Sequence, residues 1–112
     1  MENPLLTFAS PTIIVGDKSG VSVAVHEIGH SWTGNTVTCE NWSNFWLNEG
    51  LTVFLERTAD KKLFGEDFTI IDAANGDNGM KIDMENFGYD STFSSLHPDT
   101  ENENPDDSFS VI

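Results

Sequence analysis

The sequence predicts a predominantly α-helical fold with a small β contribution at its start, an α+β class. Three observations carry this. Val21, Val25, Ile28 and Trp32 fall at helical spacing around a His-Glu-x-x-His pair. A second apolar set, Phe45, Trp46, Leu51, Phe54 and Leu55, runs into Arg57, Lys61 and Lys62 and then a terminating Gly65. A run rich in β-branched and aromatic side chains, Leu5 to Val15, precedes both.

Residues 1–18 read as an extended leading segment. Pro4 and Pro11 divide it into one or two short strands that end in the turn Gly16-Asp17-Lys18. Such a strand beside a binding site would align a peptide through its backbone.

Val21, Val23 and Val25 alternate, which by local propensity alone favours a strand. The apolar stripe and the spacing of the two histidines favour a helix instead, over 19–34, with Gly34-Asn35 as its stop. Gly29 weakens that helix by about 1 kcal/mol relative to alanine, a cost that burial has to offset.

The second helix is expected over 43–64, with cations at its C-terminal end where they suit the helix dipole. Beyond Gly65, Phe68 to Ala74 is helical, Gly76-Asp77-Asn78-Gly79 breaks the pattern, and Met80 to Phe87 resumes it. Residues 91–112 carry Pro98, Pro105, acidic residues and no basic ones, and read as an acidic loop.

Nineteen acidic residues against five basic ones give a formal charge of -14. Nucleic acid and an anionic membrane surface are poor partners, because both need Lys/Arg clusters. A cationic ligand such as a peptide amino terminus suits the charge, although most of it reads as solvated surface. No run reaches the roughly eighteen apolar residues of a membrane span. Cys39 is the single cysteine, so no internal disulfide forms, which fits a reducing, cytoplasmic compartment. No signal peptide is visible.

The chemistry sits in Val25-His26-Glu27-Ile28-Gly29-His30. Residues four apart share one helix face, so His26 and His30 offer two imidazole nitrogens to one ion. Glu27 lies beside the first ligand, where a carboxylate reaches a water at the metal without itself being a ligand. Two imidazoles with one carboxylate suit zinc, one ion per chain, with a fourth position left open. Two histidines also share a face by accident on surface helices, so the third ligand decides the matter. Glu49, in Phe45-Trp46-Leu47-Asn48-Glu49-Gly50, fills that place if the second helix runs back antiparallel to the first. Glu56, seven residues on, shares the face of Glu49. It reads either as an acceptor for the distal nitrogen of a ligand histidine or as the partner of a neighbouring cation.

His26-Glu-Ile-Gly-His-Ser-Trp-Thr-Gly-Asn35 followed by Trp46-Leu-Asn-Glu-Gly50 resembles the gluzincin aminopeptidases, in the branch of leukotriene A4 hydrolase and aminopeptidase B. Met1-Glu2-Asn3 is similar to that family's Gly-x-Met-Glu-Asn exopeptidase signature. The resemblance covers the whole chain. It implies a thermolysin-like catalytic domain, here in part, with 1–112 a central piece of a longer enzyme. It also implies zinc-dependent removal of N-terminal residues from peptides, with Glu2 holding the substrate's α-ammonium.

Asn104-Pro-Asp-Asp-Ser-Phe-Ser-Val-Ile112 is similar to the family stretch that leads to a transition-state tyrosine, and the sequence stops two residues before that position. Asp106 falls where the leukotriene hydrolase branch carries an aspartate near the substrate. Two alternatives stand beside the peptidase reading. One is opening of a lipid epoxide by the same metal; the other is a truncated, catalytically incompetent chain that binds zinc. Oligomeric state is not legible.

Overall fold

The computed structural model describes residues 2–102 and 104. Three α-helices dominate them: α1 (Val21–Gly29), α2 (Trp46–Phe64) and α3 (Glu66–Phe87). Helix α2 is the common partner. Along α1, His30 meets Thr52 and His26 meets Glu56, so the partner number falls as the α1 number rises. The two helices are therefore antiparallel. A different face of α2 meets α3, where Arg57 pairs with Asp72 at 3.0 Å and Lys61 with Glu66.

Helix α1 ends earlier than the expected 19–34. His30 still closes a helical bond, its N–H donating to the His26 carbonyl at 3.2 Å. The chain then tightens: the N–H of Ser31 donates to Ile28 and that of Trp32 to Gly29. Gly34 reverses the chain at a φ of +121, a conformation that a side chain resists, and a Cβ there would lie 2.9 Å from His30 Nδ1. Gly29, the apparent weakness of α1, is where α2 comes close: a Cβ there would sit 3.2 Å from Thr52 Cγ2.

Helix α2 follows a 3-10 turn over Trp42–Asn44 and ends at Gly65, with Lys61 and Lys62 in its last turn. Helix α3 opens with Glu66 and Asp67, which complement the positive end of the helix dipole. It runs unbroken through Gly76 and Gly79, which corrects the expected break. Arg57 packs so closely on Gly76 that a Cβ there would lie 2.5 Å from its Nη2. Lys81 pairs with Asp77 one turn away. At Gly76 the tertiary contact with Arg57 outweighs the roughly 1 kcal/mol that a glycine costs in a helix.

The expected β contribution at the start does not form. Among the described residues there is no strand, only an isolated bridge between Thr33 and Val37. The leading segment instead makes a 3-10 turn over Pro11–Ile13, and Leu5 is 99% exposed. Strand-forming side chains need a neighbouring strand to satisfy the backbone, and no extended segment pairs with this one. In the acidic loop, Thr92–Ser94 forms a 3-10 turn, and Ser43 and Thr100 join through their hydroxyls at 2.8 Å.

Among the described residues the fully buried side chains are His30, Thr52 and Asp60, and none is apolar. Trp32 is 61% exposed and Phe54 67%, so the apolar stripes of α1 and α2 are not covered by these residues. What α1 and α2 enclose is polar. No helix among the described residues is long and apolar enough to cross a membrane.

Candidate metal centre

The spacing of four puts His26 and His30 on one face of α1, with ring centroids 4.7 Å apart. The antiparallel approach of α2 brings Glu49 to the same point, although it lies 23 residues from His26. His26 Nε2 is 3.0 Å from His30 Nε2 and 3.3 Å from Glu49 Oε2. His30 Nε2 is 3.6 Å from that same oxygen. Ligands about 2.05 Å from a tetrahedral zinc lie about 3.3 Å from one another. The three donor atoms form a triangle of that size, and the set of two imidazoles and one carboxylate could hold a metal.

Each imidazole is held from behind. His26 Nδ1 donates to Glu56 Oε2 at 2.9 Å. His30 Nδ1 donates to the Thr33 carbonyl at 2.8 Å. With Nδ1 holding the proton, each ring in its neutral, ligating form turns its Nε2 lone pair toward the triangle, and without a metal the His26 Nε2 instead carries a proton to Glu49. The hydrogen bond with Glu49, then that with Glu56, pushes the His26 imidazole up to about 9 against the opposing effect of burial. Burial pushes the Glu49 carboxyl up, but the His26 hydrogen bond and the charges of the two imidazoles outweigh it and hold it below its ordinary value.

Glu27 lies on α1 next to His26, half-buried and outside the ligand triangle. Glu2 is half-buried, and its main-chain carbonyl accepts from Asn35 Nδ2 at 2.6 Å. Asn35 also donates to the His30 carbonyl at 2.8 Å, so one amide joins the leading segment to the end of α1. Asp106 lies outside the described residues.

Two buried residues of α2 escaped the sequence reading. Thr52 is fully buried, and its hydroxyl lies within 3.2 Å of His30 Nδ1. Its position three residues after Glu49 and four before Glu56 was the available signal. Asp60, four residues further along that stripe, is 1% exposed, and neither carboxylate oxygen has a hydrogen-bond partner among the described residues.

The whole chain, residues 1–112, matches the peptidase family M1 domain. It is 47% identical over 112 residues to leukotriene A-4 hydrolase of Xenopus laevis, covering all of this chain and 18% of that protein. It is 46% identical to leucine aminopeptidase 2 of Emericella nidulans and 45% to that of Aspergillus terreus, with the same coverage. The chain thus spans 18% of the length of each of these relatives.

Proposed function

This chain belongs to peptidase family M1, and from that membership we propose that the complete protein is a zinc-dependent aminopeptidase that removes N-terminal residues from peptides. The observation that carries the reading is the donor triangle of His26, His30 and Glu49, with sides of 3.0, 3.3 and 3.6 Å. Names of relatives alone would not carry it, because the chain spans so little of each. A thermolysin-like catalytic domain belongs to the same proposal, as does a cytoplasmic location, which the lone Cys39 favours.

His26, His30 and Glu49 would hold the zinc, and zinc there supplies Lewis acidity to the scissile carbonyl and to the attacking water. The chain's own residues do the rest. Glu27, beside His26 but not among the ligands, takes the proton from the attacking water and delivers it to the leaving amine. Glu56 keeps the His26 Nδ1 proton engaged, so that Nε2 faces the centre. Glu2 receives the substrate's α-ammonium by charge-assisted hydrogen bonds, which restricts cleavage to the first residue. Asn35 fixes the Glu2 backbone to the end of α1, within the same structural unit as the ligands.

Hydrolysis of a leukotriene is a second reading. It rests on the relative at 47% identity and on the same metal, while the leucine aminopeptidases match almost equally. The test is metal content and turnover in the complete protein. Glu27→Gln keeps one zinc and loses peptide hydrolysis, because a base is not a ligand. A doubly substituted protein, His26→Ala with Glu49→Ala, loses the metal; full zinc occupancy in it would overturn the assignment.

A further inference from the structure

The hydrogen bonds around His30 point to a residue that no ligand motif contains. We infer that Thr52 is the positioning residue for His30: from α2, its buried hydroxyl fixes the Thr33 carbonyl against His30 Nδ1 and so sets the ring's tautomer and direction. The inference rests on the metal reading above and adds the device that aims one of its ligands.

The protons can be counted. The Thr33 carbonyl only accepts, so His30 Nδ1 carries the hydrogen in their 2.8 Å contact. The Thr33 hydroxyl donates to Thr52 Oγ1 at 2.6 Å. Thr52 in turn has one hydrogen and two carbonyls in reach, Asn48 at 2.7 Å and Thr33 at 3.0 Å. Its remaining lone pair faces the His30 Nδ1–H at 3.2 Å. Every polar atom of the group is satisfied in this arrangement. The other tautomer, with the proton on Nε2, would set a nitrogen lone pair against the Thr33 carbonyl oxygen at 2.8 Å. It would also turn an N–H into the donor triangle.

Position makes Thr52 more than a helix hydroxyl bonded back to its own turn. Thr33 lies beyond the end of α1, in the turn where Gly34 reverses the chain at a φ of +121. Nothing in α1 itself holds Thr33 in register with α2; the link is the Thr52 hydroxyl, which is fully buried and meets both the hydroxyl and the carbonyl of the half-buried Thr33. Thr52 Cγ2 meets the Gly29 backbone one residue before His30, so the methyl sets the separation of α1 and α2 while the hydroxyl sets the turn. Valine keeps the first function and removes the second.

The experiment compares wild type, Thr52→Val, Thr52→Ser and His30→Ala in the complete protein. Zinc affinity is measured by chelator competition, and the visible spectrum of the cobalt-loaded forms reports ligand geometry. Thr52→Val is expected to weaken zinc binding about 10- to 100-fold, the range for losing a partner behind a metal ligand, and to change the cobalt spectrum. Thr52→Ser, which keeps the hydroxyl, stays near wild type in both. If the valine variant does not fold, Thr52→Ala against Thr52→Ser carries the same comparison. Affinity within twofold of wild type in Thr52→Val, or a serine variant as weak as the valine one, would overturn the role. In those outcomes His30→Ala still loses zinc and the metal reading stands. A wild type that takes up no zinc would overturn the metal reading and this role with it.

Discussion

The side-chain amide of Asn35 donates to the main-chain carbonyl of Glu2, 33 residues away, at 2.6 Å. Its second bond, to the His30 carbonyl at 2.8 Å, ties the leading segment to the turn beside a candidate metal ligand. In the sequence Asn35 is only part of a helix stop. In the structure it connects the proposed amine anchor to the proposed metal site.

Glu2→Ala is therefore expected to cut turnover of free-amine peptides strongly in the complete protein, since a carboxylate facing an ammonium is typically worth a few kcal/mol. N-acetylated peptides are poor substrates for the wild type. Equal cleavage of blocked and free peptides in a fluorogenic assay would remove Glu2 from the anchor role.

Glu56 accepts the His26 Nδ1 proton at 2.9 Å, and Glu56→Ala leaves that donor without its acceptor. Zinc affinity is expected to fall about 10- to 100-fold. Glu56→Gln retains an acceptor oxygen and falls between the two. Chelator competition reads the order directly, and an alanine variant equal to wild type would show that Glu56 does not position His26.

Zinc binding is also expected to depend on pH through His26. Its ordinary value of 6.5 is raised to about 9 by Glu49 and Glu56, so zinc must displace a proton at neutral pH. Affinity then rises about tenfold per pH unit between 6.5 and 9 and flattens above. For the metal-free protein the sign is opposite: the stability from this raised value is fully present below 6.5 and is lost as pH climbs to about 9. Competition titrations and thermal melts across that range check both slopes.

Asp60 is buried with neither carboxylate oxygen bonded among the described residues. Asp60→Asn replaces the acid with a neutral amide of the same size. It is expected to stabilise the 112-residue chain by about 1–3 kcal/mol in urea unfolding. Destabilisation would mean that the carboxylate has a partner beyond the described residues.

The 112-residue chain alone is expected to be a poor peptidase, because the helices that carry the ligands leave Trp32, Trp46 and Phe54 uncovered. It should bind a hydrophobic dye and hydrolyse an aminoacyl fluorogenic substrate more than tenfold slower than a full-length relative, with Glu27→Gln as the control. Glu27-dependent turnover within about tenfold of the relative would show that these exposed faces need no further cover.

By itself the sequence determined what depends on a few residues of backbone. The spacing of His26 and His30 fixes two imidazoles on one face, because a helix repeats every 3.6 residues. The glycine and lysines at the end of α2 fix its stop for an equally local reason. The tertiary structure decided what spans distance. It joined α3 across Gly76 because Arg57 packs there, against the local tendency to break. It left Leu5 to Val15 without a strand because β-branched residues favour extended backbone but cannot supply the neighbour it pairs with. It placed Thr52 behind His30 and Asn35 on Glu2, contacts 22 and 33 residues apart. Such pairs are set by how α1 meets α2 and how the leading segment meets the turn after α1, and no period in the chain encodes that.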